Sequence, residues 1–125
     1  MAKNIKVAGV GMIPFTKPGA SDDYQVMGET AARLAIEDAG LSYTDIGQVY
    51  VGYVYGDSTS GQAAVYGLGL SGVPIINVNN NCATGSSALY LARQAVEAGM
   101  TDCALALGFE QMNPGALGAI YSDRP

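Results

Sequence analysis

Residues 74–94 read PIINVNNNCATGSSALYLARQ. The opening PIINVN is a proline followed by mostly β-branched apolar side chains, the composition of a short strand that proline begins. From residue 82 onward, small and apolar side chains recur at helical spacing to about residue 98. Between the two lie Asn79, Asn80, Asn81 and then Cys82. Asparagine side chains satisfy nearby backbone groups where a chain changes direction. The pattern predicts a strand over 74–79, a helix over about 82–98, and a thiol where they join.

That junction is chemically suggestive. The first N–H groups of a helix have no partner inside the helix. Their summed field is worth about 0.3–1 kcal/mol to an exposed anion. A thiolate, the nucleophilic form of cysteine, gains from such a field. Gly85, Ser86, Ser87 and Ala88 are small and leave room for other backbone or a substrate tail. No charge occurs from Ala83 to Ala92, whereas Arg93 and Glu97 follow, so the helix is expected to start buried and emerge towards solvent. Most free cysteines are small apolar fillers. Cys103, on the apolar run CALALG at 103–108, fits that description. For Cys82 the junction and its small neighbours favour a nucleophile.

The flanking sequence supplies alternating elements. NIKVAGVG at 4–11 reads as a strand. A helix over about 23–39 carries its apolar stripe on Val26, Met27, Thr30, Ala31, Leu34, Ala35 and Ala39, with Gly40 at its end. GQVYVGYVY at 47–55 forms a strand, 59–69 a short glycine-weakened helix, and 103–108 a further strand. The order β-α-β-α-β-α-β predicts an α/β fold, a mainly parallel sheet with helices over both faces.

Composition narrows the function classes. The chain has 125 residues and a formal charge of −5. That argues against a nucleic-acid surface, which needs clustered cations. No apolar run approaches the length of a membrane span, and no signal peptide is read at the start. Two cysteines without a secretory signal indicate free thiols in a reducing compartment, so a Cys82–Cys103 disulfide is disfavoured. The expected location is cytoplasmic, or peroxisomal in a eukaryote. GLGLSG at 67–72 matches a dinucleotide fingerprint by letters. It precedes a strand rather than a helix, so it lacks the helix N-terminus that would hold phosphate. The chain contains no histidine, and its two cysteines are far apart, so no metal site is expected.

VGYVYGDSTSGQAAVY, PIINVNNNCATGSSALYLARQ and CALALGFEQM together resemble the thiolases, most closely the sterol-carrier-protein branch. The resemblance spans essentially the whole chain and implies the N-terminal half of a two-half fold with a five-stranded mixed sheet in each half. It implies an incomplete domain over 1–125, with a loop region, the last strand and the C-terminal half beyond Pro125. It makes Cys82 the nucleophile of an acyltransferase, accepting an acyl group from a 3-oxoacyl-CoA and passing it to CoA. The Cys82 backbone N–H would contribute to an oxyanion hole. CoA is then a substrate and no cofactor is implied. The resemblance also implies a homodimer paired through Ile75–Asn79, and puts two catalytic histidines and a second cysteine in the missing half. The isolated chain should therefore be inactive. The alternatives are a ketoacyl synthase, which shares the fold, and a non-catalytic thiolase-like protein for lipid binding or assembly.

Overall fold

The computed structural model describes residues 4–116 and 118. Its elements are α1 (Tyr24–Ala39), β1 (Gln48–Gly52), α2 (Ser60–Val65), β2 (Ile75–Val78), α3 (Thr84–Glu97) and β3 (Ala104–Gly108). Single 3₁₀ turns follow α1 at Tyr43–Asp45 and α2 at Tyr66–Leu68. The three strands are parallel in the order β2-β1-β3. Val49 of β1 lies between Ile75 and Leu105, which sets the register of the sheet.

Side chains alternate across a strand with a period of two. Val49 and Val51 therefore join Leu105 and Leu107 in one core, with Ala32 of α1 and Ala64 and Val65 of α2. Tyr50 points the other way, into a second core with Ala88, Ala92 and Ala95 of α3. Helices thus cover both faces, as the alternating pattern requires. After Gln48 the central strand is buried on both sides, over the run Val49–Gly52. Alanines on α3 let that helix lie close to the sheet. Gly28 does the same for α1, where an added Cβ would come within 3.0 Å of Ala64. Gly40, at φ 67°, closes α1 with a left-handed turn in which Leu41 N–H donates to the Ile36 carbonyl.

One expected element differs. Residues 4–11 do not form a strand. The segment instead approaches α1: a Cβ on Gly9 or Gly11 would meet the Ala35 or Ala31 carbonyl oxygen at 2.4 Å. Val7 and Val10 are exposed. A cavity of about 1290 Å³ has both this segment and β3 among its walls. A strand exists only through its neighbours, and here its residues have strand composition without a paired edge. No helix among the described residues is long and apolar enough to cross a membrane.

Candidate active site

The carboxyl ends of β1, β2 and β3 lie side by side at Gly52, Val78 and Gly108. In open α/β sheets this end is where ligands bind. The chain leaving β2 crosses it. Tyr53 N–H donates to the Val78 carbonyl at 3.4 Å and Phe109 N–H to the Gly52 carbonyl at 3.1 Å, tying the three strand exits together.

The N-terminus of α3 sits directly on these exits. A Cβ on Gly52 would fall 2.6 Å from the Thr84 methyl and 2.7 Å from the Thr84 carbonyl oxygen. A Cβ on Gly108 would lie 3.4 Å from the Gly85 Cα. Glycines at both strand ends are what allow this approach.

Between β2 and α3 the chain turns within five residues. Asn81 adopts φ 49°, a left-handed conformation that asparagine tolerates better than most residues. Asn79 Oδ1 accepts the Asn81 N–H at 3.1 Å, and Asn80 Nδ2 donates to Ser87 Oγ at 2.9 Å. The asparagines thus do the backbone work expected of them. Ala83 and Thr84 N–H groups donate to the Asn80 and Asn81 carbonyls in consecutive turns. Regular helical bonding begins only when Ser87 N–H reaches the Ala83 carbonyl. Two expectations change as a result. Helix α3 starts at Thr84, two residues after the expected start at about 82, because the Ala83 and Thr84 N–H groups are taken up by tight turns and regular helical bonding begins only at the Ala83 carbonyl. Cys82 stands in the turn rather than in the first helical turn, and it is exposed rather than buried. The uncharged first half of α3 buries Thr84 and Ala88 against the sheet, while Gly85 and Ser86 remain open.

Among the described residues the Cys82 thiol has one hydrogen-bond partner, Asn81 Oδ1 at 3.9 Å, long even for a sulfur donor. The other thiol, Cys103, is half-buried and free. Burial raises its pKa, and the negative charge of Asp45 adds to the rise. Burial likewise raises Tyr43, partly offset by its hydrogen bond with Ser71. The described residues contain no cluster of side chains able to hold a metal ion.

Several residues that shape the site carried no signal in the sequence. Thr84 is 4% exposed, and its hydroxyl joins both Asn80 and Asn81. Glu110 accepts the Val54 and Tyr55 N–H groups at 3.0 and 2.9 Å, holding the exit of β1 against the exit of β3. Gln111 Oε1 accepts the Tyr24 N–H at 2.9 Å, at the start of α1. Phe109 stacks between Tyr24 and Tyr53, with ring centroids 5.0 and 5.1 Å away. The run Phe109-Glu110-Gln111 therefore ties three elements at the rim. Their pairing is long-range, and nothing in the spacing announces it.

The sequence profile for the thiolase N-terminal domain matches residues 5–117. Sterol carrier protein 2 of Gallus gallus is 56% identical over 126 residues, covering 99% of this chain and 23% of the relative. Mitochondrial acetyl-CoA acetyltransferase of Mus musculus is 35% identical over 99 residues, covering 75% of this chain and 23% of the relative. Among solved structures, a priming β-ketosynthase from a polyketide biosynthetic pathway superposes with a TM-score of 0.63 at 31% identity. That match covers 77% of this chain and 29% of the other. The chain thus spans about a quarter of the length of these relatives. With its β2–Cys82–α3 junction at the carboxyl end of a parallel sheet, the chain belongs to the thiolase family, matched over the N-terminal domain.

Proposed function

We propose that the protein is an acyltransferase of the thiolase type, with Cys82 as its nucleophile. The observation that carries this is the placement of an exposed thiol in the turn between β2 and α3, beside a helix N-terminus. The thiolate attacks the 3-keto carbon of a 3-oxoacyl-CoA. The bond between C2 and C3 breaks, and its electron pair leaves on the acetyl-CoA or propionyl-CoA fragment, which takes up a proton. The acyl group remains on Cys82 as a thioester. The thiol of free CoA gives up its proton, attacks that thioester and releases Cys82 as the thiolate. Reversal of these steps gives condensation. Covalent capture of this kind divides one difficult step into two easier ones. The Cys82 backbone N–H serves as one donor to the thioester oxygen. The proton transfers need an acid and a base; this chain contains no histidine, and in this reading they are supplied by the C-terminal half that the thiolase resemblance implies.

The family relationship and the relatives named as acyltransferase and ketosynthase support this reading. The name of the sterol carrier protein relative favours a second one, in which the fold carries lipid without turnover. One experiment separates them. Cys82→Ala in the full-length protein is expected to abolish acyl transfer while leaving the melting transition in place. Turnover that stays within about tenfold of wild type, where loss of a nucleophile typically costs several orders of magnitude, rejects the nucleophile assignment. A wild-type protein that forms no acyl-cysteine with 3-oxoacyl-CoA supports the carrier reading. The same proposal includes a homodimer through Ile75–Asn79.

A further inference from the structure

The turn that presents Cys82 holds a left-handed residue, Asn81, immediately before the thiol. A non-glycine residue in that region is uncommon and persists where its surroundings fix it. The Thr84 hydroxyl is one of the groups that fix it, beside the Asn79 side chain that accepts the Asn81 N–H. Thr84 Oγ1 accepts the Asn80 N–H at 2.9 Å and donates to the Asn81 carbonyl. Both residues that lead into Cys82 are thus fastened to one buried side chain. The Thr84 methyl meanwhile rests against Gly52 at the end of the central strand. The hydroxyl ties the turn and the methyl ties the sheet, so the turn is referenced to the strand ends.

The bonding is also the reverse of ordinary capping. A threonine at a helix start usually accepts an N–H from the helix itself. Here the cap residue is Ala83, which makes no side-chain cap bond, and Thr84 turns back to the residues before the helix. The first N–H groups of α3 keep no side-chain acceptor from their own cap, and Cys82 stands beside them.

We propose that Thr84 is a positioning residue for Cys82: its hydroxyl holds the Asn80–Asn81 turn so that the thiol stays beside the α3 N-terminus. The kinetic consequence rests on the acyl-transfer reading above; the effect on the thiol itself does not. Two variants of the full-length protein separate the hydroxyl from the methyl. Thr84→Val keeps the shape and the contact with Gly52 but loses both hydrogen bonds. Thr84→Ser keeps both hydrogen bonds and loses the methyl.

With 3-oxoacyl-CoA as substrate, Thr84→Val is expected to lower kcat by about 100-fold at nearly constant KM, the scale of a misplacement of about 1 Å. Thr84→Ser is expected to stay within about threefold of wild type, because the turn remains tied. A packing role predicts the opposite order, with the serine variant the more damaged. Thr84→Val within about threefold of wild type, or Thr84→Ser impaired as much as Thr84→Val, overturns the proposal. Should Thr84→Val fail to fold, Thr84→Ser decides alone: a loss beyond about tenfold in a folded protein overturns the assignment. A wild-type protein without acyl transfer removes the catalytic reading but leaves a second measurement. Cys82 alkylation by iodoacetamide at pH 7 should then slow about two- to fivefold in Thr84→Val and not in Thr84→Ser, the fold-change that the field of a helix terminus supports. Equal rates in all three proteins overturn the proposal.

Discussion

The two cysteines show how position divides one chemistry. Cys82 is exposed in a turn, whereas Cys103 sits half-buried just before β3, its pKa raised first by burial and then by Asp45. A thiol whose pKa is higher folded than unfolded keeps its proton longer in the folded state. As pH rises past the ordinary thiol value of 9.0, the unfolded chain releases its proton first. Stability contributed by this difference is therefore full below that pH and is lost as pH rises through the folded value. Tyr43 acts in the same sense at higher pH, above its ordinary value of 10.0. Cys103→Ala is expected to show a shallower fall in unfolding free energy between about pH 8 and 9.5 than wild type, measured by urea denaturation. An equally steep fall in the variant overturns the contribution of Cys103. At this scale the sequence was informative about types and silent about partners. Cys82 stood out from its junction, and Cys103 from its apolar run. Thr84 did not, because a threonine near a helix start looks the same whether its hydroxyl turns forward or back.

Elements were legible wherever periodicity had a physical cause within the element. Helix α1 was expected over 23–39 and spans Tyr24–Ala39; the strand expected over 74–79 spans Ile75–Val78. The failures have causes outside the element. Residues 4–11 have strand composition, but their pairing depends on a neighbour that no local pattern records. The start of α3 was set by two consecutive tight turns, closed on the Asn80 and Asn81 carbonyls, that come before the regular helix. The packing of α3 on the strand ends yields a paired prediction at two glycines. Gly52→Ala would place a Cβ 2.7 Å from the Thr84 carbonyl oxygen, which is backbone and cannot rotate away. Overpacking of that kind costs about 1–3 kcal/mol. Gly85→Ala, in the first turn of α3, meets open space. It should gain up to about 1 kcal/mol from helix propensity. Denaturant titration of both variants checks this. A Gly52→Ala protein as stable as wild type would mean that α3 does not rest on β1 as described.

For the whole molecule, the position of β2 in the sheet bears on the proposed dimer. Strand β2 is at the edge of the order β2-β1-β3. Val49 N–H donates to the Pro74 carbonyl and Tyr53 N–H to the Val78 carbonyl, so residues 74 and 78 face β1. By the alternation of a strand, Ile76 faces β1 too, and Ile75 and Asn77 turn their backbone groups outward. The outward Ile75 carbonyl accepts from Gln62 Nε2 at 3.4 Å. The Asn77 side chain is held from within: its Oδ1 accepts the Gly61 N–H at 2.9 Å, and its Nδ2 donates to Gln62 Oε1 at 2.8 Å. Asn77 thus points its amide group at α2 while its backbone remains directed to the open edge. Among the described residues no strand pairs with this edge; an edge without a strand partner is a template for another strand, and two copies of β2 related by a two-fold axis would pair antiparallel through it. The expected outcome is a full-length dimer at micromolar concentration, with the Asn77 N–H strongly protected from hydrogen exchange. The Ile76 N–H, paired within one copy, should be protected in either state and serves as the internal reference. Sedimentation showing a monomer rejects the dimer. A dimer in which Asn77 exchanges as fast as a solvent-exposed amide places the interface elsewhere than β2.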